Sequence, residues 1–312
     1  MTIGAAAAMR AIVDKQSRLL IADDWRDYRL LDSGAGQKLE QAGRFTFVRP
    51  DAQALWRPRL AEKAWANADA VFTGGGEDDE GGRWRFERPL PERWPLAWEG
   101  IRFLGRPTPF RHLAFFPEHS VHWRFAQDAV KAQGGQPEVL NLFGYTGLAS
   151  LACAAAGAKV THVDASKKAI GFARENQAEA GLADKPIRWI ADDAFAFVQR
   201  ELRRGRRYDG VILDPPKYGR GPNGEIWRLE EGLGPLLDAC AQLLRKDPAD
   251  AASASGFLIA TVYAVRLSSV ALAQVAADAL PQTGVLEYGD MTLPHASDDR
   301  LLPTAIYARW RG

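Results

Sequence analysis

From about residue 136 to its end, the chain alternates between short apolar runs and longer stretches in which apolar residues recur at helical spacing. The apolar runs predict strands at residues 138–142, 159–163, 187–190, 208–213 and 256–261, and closing strands near residues 284–288 and 304–310. A helical stripe is formed by Leu233, Leu236, Cys240, Leu243 and Leu244. Strands that alternate with helices are typical of a doubly wound α/β fold. The pattern therefore predicts a seven-stranded, mostly parallel sheet covered by helices.

The first hundred residues show a different pattern. Apolar and polar residues alternate at 45–48 and 84–86, which predicts half-buried strands, and the glycine-rich acidic stretch 74–82 predicts a loop between two strands. Six of the ten tryptophans lie in this region, and they fit either core packing or a surface on which single-stranded RNA bases stack. We predict a smaller β-rich N-terminal domain at residues 1–104, a candidate for substrate recognition, and an α/β domain at residues 105–312.

Composition limits the class of protein. A hydrophobic content of 46% and a charged content of 25% are typical of a soluble globular chain. No apolar run approaches the roughly 20 residues that span a bilayer, and no basic residue precedes the short apolar run 5–8, as a secretory signal would require. Cys153 and Cys240 lie in helix-like segments and are expected in the core. Such sparing use of cysteine fits a reducing compartment, so we predict a cytoplasmic protein without membrane contacts.

Net charge gives little information about partners. The chain has 40 basic and 39 acidic residues, a net charge of +1. Proteins that bind nucleic acid usually carry a basic stripe, which here would have to be local, as at residues 200–207. A solvated helix end is the simpler explanation of that run. The sequence makes no prediction of oligomeric state.

Polar residues follow the predicted parallel strands where each strand ends. A turn at residues 141–147 follows the first strand, Asp164 ends the second, Asp192 and Asp193 end the third, and Asp214 ends the fourth. Ligands of open parallel sheets bind beyond these carboxyl ends. The 23 residues from Asn141 to Asp164 suit one strand–helix–strand unit whose second strand presents an acid to a ribose diol. This arrangement predicts a nucleotide or nucleoside site.

The turn separates two classes of cofactor. A dinucleotide fold uses three glycines so that the backbone can approach a pyrophosphate. Here the turn reads Asn-Leu-Phe-Gly-Tyr-Thr-Gly, with bulky Phe143 and Tyr145 where two of those glycines would stand. A dehydrogenase is therefore disfavoured. S-adenosylmethionine has no phosphate, and such a turn needs to pass only its methionine end and its ribose.

The segment after the fourth strand carries the catalytic candidates, which are Asp214, Pro215, Pro216, Lys217 and Tyr218. The two prolines stiffen the backbone and remove two donors, which leaves carbonyls aimed outward. A carboxylate beside a fixed carbonyl can accept both protons of an amino group and orient its lone pair at an electrophilic methyl. The tyrosine ring could stack on a planar base. A plain turn after a strand is the alternative interpretation.

At these residues the sequence resembles the class I S-adenosylmethionine-dependent methyltransferases related to the bacterial ribosomal RNA large-subunit enzymes of the RlmI type. The resemblance covers residues 105–312 and is most specific at 141–147, 192–195 and 213–218. It implies a Rossmann-like fold, S-adenosylmethionine as the cofactor and RNA as a partner. The cofactor-binding residues that it implies are Glu118, His119, Asn141, Phe143, Gly144, Tyr145, Thr146, Gly147, Asp164, Ala165, Ser166, Asp192, Asp193, Ala194 and Asp214.

The resemblance also implies roles for these residues. Residues 143–147 wrap the methionine part, and Asp164 binds the ribose hydroxyls. Asp193 meets the adenine amino group, with the Ala194 backbone beside it. Residues 114–119 look like the family's segment that approaches the methionine end of the cofactor, with Glu118 and His119 as weaker candidates.

Two departures from the family's pattern affect the predicted chemistry. The cytosine-C5 members attack the base with a cysteine after the fifth strand, and here residues 260–264 read Ala-Thr-Val-Tyr-Ala. The N-terminal region also lacks an obvious match to the RNA-binding module of those enzymes. We therefore predict methylation of a nucleobase in RNA, ribosomal RNA first, at an amino group. The alternatives are methylation of a protein or small-molecule amine, and a relative that binds cofactor or RNA without catalysis.

Two further segments have simpler interpretations than a metal site or a catalytic loop. His119 and His122 lie three residues apart, but zinc sites need three or four ligands and His112 is the nearest further candidate, so no metal is predicted. Residues 219–227 are too glycine-rich for a helix. They are interpreted as a mobile loop that closes over the acceptor through Arg220 and Trp227, or as a plain surface loop.

Overall fold

The computed structural model describes residues 12–13, 16–74, 82–222, 224–245, 256–263, 266–281 and 283–312. The central part of the predicted acidic loop, residues 75–81, lies outside the described residues. The strands are β1 (Ile12–Val13), β2 (Arg18–Ile21), β3 (Tyr28–Gly34), β4 (Gln37–Ala42), β5 (Phe45–Pro50), β6 (Ala70–Thr73), β7 (Arg83–Phe86), β8 (Trp94–Trp98), β9 (Ile101–Gly105), β10 (Glu138–Leu142), β11 (Lys159–Asp164), β12 (Ile187–Ala191), β13 (Gly210–Leu213), β14 (Tyr218–Arg220), β15 (Ile226–Arg228), β16 (Phe257–Val262), β17 (Val285–Pro294) and β18 (Leu301–Arg311). The helices are α1 (Glu62–Ala66), α2 (Ser120–Gln133), α3 (Leu148–Ala155), α4 (Lys167–Glu179), α5 (Ala194–Arg203), α6 (Leu229–Leu243) and α7 (Ser269–Ala279), with a 3-10 turn at Pro117–His119.

The large sheet has the strand order β12-β11-β10-β13-β16-β18-β17. The first five of these strands are mutually parallel, and β18 is antiparallel to both of its neighbours. This is the predicted doubly wound fold with its seven predicted strands. The short strands β1 and β2 also pair with β17, so that nine strands form the sheet. These two additions were not predicted, because each contains at most four residues.

The position of β10 determines where the site lies. The chain runs outward from β10 through β11 to β12, and then crosses back to place β13 on the other side of β10. At such a switch point the loops after two neighbouring strands diverge and leave a crevice. The segments after β10 and β13, which carry the turn 141–147 and Asp214, border that crevice.

The N-terminal region forms a five-stranded sheet in the order β3-β4-β5-β6-β7, followed by the hairpin β8-β9. Its six tryptophans all lie within the described residues, and none of them is exposed. Trp94 stacks on Phe47 with a centroid distance of 5.4 Å, and Trp98 packs edge-on against Trp123 of α2 at 5.2 Å. Of the two interpretations of the tryptophans, the structure supports core packing. The predicted boundary between residues 104 and 105 stays a prediction.

The interior of the large sheet is apolar on both faces. Cys153 and Cys240 are both free and fully buried, as expected from their helical segments. Burial raises the pKa of the Cys153 thiol to about 12, so this cysteine is not a nucleophile at neutral pH. Among the described helices, none is long and apolar enough to cross a membrane.

Candidate active site

A cavity of about 960 Å³ opens at the carboxyl ends of the parallel strands. Twelve of the predicted site residues line it, namely Glu118, Phe143, Tyr145, Asp164, Ala165, Ser166, Asp193, Ala194, Asp214, Pro215, Pro216 and Lys217. The topology therefore brings together side chains that lie as far as 99 residues apart in the chain, from Glu118 to Lys217. The roles of these residues stay predictions.

The turn after β10 has an unusual backbone. Phe143 (φ 54°) and Tyr145 (φ 48°) lie in the left-handed region, where residues other than glycine are strained. Gly147 has φ 87°. Gly144 is needed for a different reason, since a Cβ at this position would overlap the ring of His162. A side-chain hydrogen bond fixes the turn to the segment before α2. Thr146 Oγ1 donates to the Ala114 carbonyl at 2.8 Å.

Asp164, at the end of β11, faces this turn. Its Oδ2 accepts the Tyr145 backbone N–H at 2.8 Å, and its Oδ1 accepts the Ser166 N–H at 2.8 Å. Burial raises the pKa of this carboxyl, and the two backbone donors oppose that effect. Each oxygen keeps further lone-pair capacity, so the carboxylate can still accept hydrogen bonds from a vicinal diol in the cavity. The chemistry of the group fits the ribose of S-adenosylmethionine.

The two aspartates after β12 differ in their surroundings. Asp193 caps α5, because its Oδ1 accepts the Ala196 N–H at 2.8 Å, and it also lines the cavity. Asp192 pairs with Arg200 of the same helix and does not line the cavity. The structure thus brings Asp193 and Ala194 to the cavity wall. Asp192 instead accepts the backbone N–H of Asp193 at 2.9 Å.

Six further predicted residues do not line the cavity: His119, Asn141, Gly144, Thr146, Gly147 and Tyr218. The Asn141 amide nitrogen donates to Ser150 Oγ at 2.9 Å, and that hydroxyl bonds to His162 Nδ1 at 3.0 Å. This buried chain holds the base of the turn. Tyr218 lies beside the lining residues Lys217 and Gly219, with 49% of its surface exposed.

Asp214 follows β13 and lines the cavity, and a quarter of its side-chain surface is exposed. Burial raises the pKa of Asp214 to about 6, with a smaller contribution from Glu118 in the same direction, while His119 opposes both. His119 Nε2 lies 3.4 Å from Asp214 Oδ2. The carboxyl can therefore exchange a proton near neutral pH.

Tyr263 is a site residue that the sequence analysis did not propose. It follows β16, at the position where the cytosine-C5 enzymes are expected to carry a cysteine. Its hydroxyl donates to Glu118 Oε1 at 2.7 Å and lies 3.0 Å from His119 Nε2. The available signal was its place at the end of a parallel strand, which is the same signal that identified Asp164 and Asp214.

The segment 219–227 differs from the predicted loop in one respect. Residues 218–220 and 226–228 pair as a hairpin of β14 and β15, and Asn223 lies outside the described residues. Closure of this segment over the acceptor stays a prediction. Trp227 is buried, and its Nε1 donates to the Pro216 carbonyl at 2.6 Å. Its ring also packs on Phe143 at 5.4 Å. Because of the cross-strand pairing and the contacts of this tryptophan, the glycine-rich segment contains two short strands that its composition did not predict.

The remaining lining residues of the cavity were also not predicted. They include Lys38, Arg49, Pro50, Asp51, Ala52 and Gln53 from the N-terminal sheet, Arg111 and His112 from the following segment, and Asp290, Thr292 and residues 303–306 from the closing strands. None of these belongs to a recognisable motif. Among the described residues, no group of three or more His, Cys, Asp or Glu side chains is arranged to hold a metal ion.

Comparison with known proteins defines the class. A family model described as S-adenosylmethionine-dependent methyltransferase matches residues 58–258, which is more than half of the 312 residues. The chain belongs to this family. It is an S-adenosylmethionine-dependent methyltransferase of class I, as its fold and its strand-end residues predicted.

Individual relatives narrow the comparison. The crystal structure of an S-adenosylmethionine-dependent methyltransferase from Agrobacterium tumefaciens is 46% identical, with a TM-score of 0.89 over 97% of this chain and 95% of that one. A ribosomal RNA large subunit methyltransferase K/L from Shewanella frigidimarina is 30% identical over 46% of this chain and 20% of its own length. A ribosomal RNA large subunit methyltransferase I from Alteromonas mediterranea is 39% identical over 26% of this chain and 21% of its own length. The chain thus spans about a fifth of the length of these two curated relatives.

Proposed function

We propose that the protein methylates an exocyclic amino group of a nucleobase in RNA, with ribosomal RNA as the first candidate. The observation that carries this proposal is the position of Asp214. It lines the cavity, directly before two prolines that also line the cavity. An amino group placed there meets a carboxylate and a rigid backbone carbonyl at once.

Within this proposal the cofactor occupies the end of the cavity that residues 143–147 and Asp164 build. Phe143 and Tyr145 would flank its methionine part, and Asp164 would accept hydrogen bonds from the ribose hydroxyls. Asp193 and the Ala194 backbone would meet the adenine. Bound S-adenosylmethionine supplies an electrophilic methyl group on a sulfonium sulfur.

The acceptor is held by this chain's own groups. Asp214 accepts one N–H of the amine and the Pro215 carbonyl accepts the other, since the Pro216 carbonyl is already bonded to Trp227. The nitrogen lone pair then points at the methyl carbon. As the new C–N bond formed, the S–C bond would break with its electron pair left on sulfur, and the cofactor would depart as a neutral thioether. The nitrogen would then be positively charged and would lose one proton to Asp214. Positioning of the two reactants supplies most of the rate enhancement.

Three observations support an RNA acceptor. Exposed Tyr218 (49%), Phe110 (59%) and Ile226 (61%) lie next to lining residues at the cavity mouth. Arg111 and Arg220 line the same mouth. Rings beside guanidinium groups are the chemistry that binds unpaired bases and phosphates. The names of the two curated relatives point to the same acceptor.

The N-terminal region has a place in this proposal. Because β4 and β5 contribute Lys38 and Arg49 to the cavity wall, we assign acceptor recognition to the domain predicted at residues 1–104, with methyl transfer at residues 105–312. A cytoplasmic location, predicted from the use of cysteine, belongs to the same proposal.

Transfer of labelled methyl groups tests the proposal. The purified protein is incubated with methyl-labelled S-adenosylmethionine and, in separate reactions, with total RNA, total protein and a metabolite extract. The proposal expects label in RNA, on an amino nitrogen of one nucleoside after digestion and mass spectrometry. Label on a ring carbon would contradict the amino-group chemistry.

Methylation of a protein or small-molecule amine is the second candidate. The net charge of +1 favours it, since RNA-binding proteins are usually basic. Acidic groups on the acceptor wall, Asp51 and Asp290, could attract a cationic amine. Label in the protein or metabolite fraction alone would replace the RNA proposal by this one.

A further inference from the structure

Four side chains, Tyr263, Glu118, His119 and Asp214, cluster beside the cavity, and hydrogen bonds join the first three of them. Tyr263 donates its hydroxyl hydrogen to Glu118 Oε1 at 2.7 Å. His119 Nε2 lies 3.0 Å from that tyrosine oxygen and 3.4 Å from Asp214 Oδ2. The cluster joins the 3-10 turn Pro117–His119 to the ends of β13 and β16. It therefore brings together residues up to 145 positions apart in the chain, from Glu118 to Tyr263.

The directions of these hydrogen bonds determine the state of the histidine. Because the hydroxyl hydrogen of Tyr263 points to Glu118, the tyrosine oxygen faces His119 as an acceptor. His119 must then carry its hydrogen on Nε2. Burial lowers the pKa of His119, so at neutral pH the ring is neutral and has one N–H. The same Nε2–H also faces Asp214.

We propose that Tyr263 is a positioning residue, which holds His119 as its Nε2–H tautomer and thereby keeps Asp214 as a carboxylate that can accept the N–H of the methyl acceptor. This inference rests on the proposed function, since it assumes that Asp214 receives the amine. It adds a role for Tyr263, Glu118 and His119 beyond contact with the cofactor.

The charged surroundings make Asp214 sensitive to this tautomer. Glu118 raises the pKa of Asp214. Because the neutral His119 ring carries no charge that opposes this effect, its Nε2–H is the group that favours the carboxylate. On the far side, His122 of α2 faces His119, Arg309 of β18 acts on His122, and Arg49 of β5 acts on Tyr263. If the tyrosine hydroxyl is removed, the other tautomer becomes accessible, and its Nε2 lone pair would face Asp214 Oδ2. Two lone pairs that face each other favour protonation of the carboxyl, so the pKa of Asp214 rises.

Nitrogen NMR tests the tautomer without any acceptor. The protein has five histidines, and the signals of His119 are assigned by comparison with His119→Gln. At about pH 7.5 the His119 ring is neutral. In the ¹⁵N-histidine spectrum of the wild type at this pH, we expect Nε2 of His119 at the shift of a protonated nitrogen and Nδ1 at that of an unprotonated one. In Tyr263→Phe the two shifts should move towards each other. An unchanged Nε2–H signal in Tyr263→Phe would overturn the inference.

The pH dependence of turnover tests the consequence for Asp214. With total RNA as the acceptor, kcat of the wild type should rise with pH through about 6, because the carboxylate forms above that pKa. In Tyr263→Phe the rising limb should move upward by about one pH unit. Turnover then falls about fivefold at pH 6 and about twofold at pH 7, and recovers at alkaline pH. A merely structural role would lower kcat equally at every pH, and that result would also overturn the inference.

Tyr208→Phe is the matched control. Tyr208 is buried, and its hydroxyl also donates to a glutamate, Glu201, at 2.8 Å, but it lies away from the cavity. Its removal should leave the pH profile unchanged. Asp214→Asn separates this inference from the proposed function. If Asp214→Asn remains fully active, the proposed function fails; if it is inactive while Tyr263→Phe keeps the wild-type profile, only the role of Tyr263 fails.

Discussion

The two ends of the cavity are built in different ways. The end that we propose for the cofactor consists of turns that follow consecutive parallel strands, and its key contacts use backbone groups, such as the Tyr145 N–H on Asp164. The acceptor end is assembled from distant parts of the chain, and its contacts join side chains, such as Tyr263 to Glu118. One end is thus a local consequence of the fold, and the other depends on how separate elements pack.

This difference separates two kinds of effect. A substitution at the end proposed for the cofactor should weaken S-adenosylmethionine binding, because it disturbs a turn that the proposal places against the cofactor. A substitution at the acceptor end should spare that binding and change turnover or acceptor affinity. Each of the following variants can break or sharpen this division, and they run from the largest expected effect to the smallest.

Asp214→Asn should lower kcat about 100-fold to 1,000-fold, because the amide cannot take the proton that the acceptor loses. Its Kd for S-adenosylmethionine, measured by calorimetry, should stay within about threefold of the wild type, since the shape of the side chain is kept. Asp238→Asn, an exposed position on α6, is the control and should be fully active. Loss of cofactor binding in Asp214→Asn would mean that Asp214 belongs to the cofactor end of the cavity and not to the acceptor end.

Asp164→Ala should raise the Kd for S-adenosylmethionine about 10-fold to 100-fold, because the ribose loses its carboxylate and the Tyr145 and Ser166 N–H groups lose their acceptor. At saturating cofactor kcat should fall much less. Calorimetry and initial rates measure the two quantities. Exposed Asp184→Ala serves as the reference. Unaltered cofactor affinity in Asp164→Ala would rule out the ribose contact.

Gly144→Ala should lower the free energy of unfolding by about 1–3 kcal/mol, because the new methyl group overlaps the His162 ring. Cofactor binding should weaken with it, since the turn must shift. Gly171→Ala in helix α4 is the matched control, because a Cβ at this position meets no atom within 4 Å. This substitution should raise the free energy of unfolding by up to about 1 kcal/mol. Urea unfolding of the wild type and the two variants measures these free energies. Equal stabilities would mean that Gly144 is not needed for close packing.

Tyr218→Ala should raise KM for RNA about fivefold, by loss of one stacking contact at the rim, with no change in the Kd for S-adenosylmethionine. Phe86→Ala removes an equally exposed ring (53%) outside this cavity and should leave both constants unchanged. Steady-state kinetics with total RNA measures KM. An equal effect of the two substitutions would argue against a specific rim.

The order of the parallel strands and the acids at their ends were predictable from the sequence. Strands β10 and β11 were predicted within one residue of their observed bounds, since apolar runs of this length between helical stripes have few other interpretations. Once the sheet is parallel, its carboxyl ends share one edge. Asp164, Asp193 and Asp214 must then meet there.

Other features had no local signal. The hairpin β14-β15 is stabilised by Trp227, which contacts Phe143 and the Pro216 carbonyl, and a glycine-rich sequence alone does not indicate such an anchor. The two short strands that join β17 contain too few residues for a pattern to be recognised. Core packing of the tryptophans could be stated only as one of two interpretations.

The sequence by itself determined the fold class, the cofactor and the strand-end carboxylates, because backbone geometry and hydrophobic periodicity act over short distances along the chain. Only the tertiary structure decided that Tyr263 bonds to Glu118 and His119, and that Lys38 and Arg49 form part of the same cavity. These contacts join elements more than 100 residues apart or elements of different sheets. Which of their side chains meet depends on the relative placement of whole packed elements, which no local pattern contains.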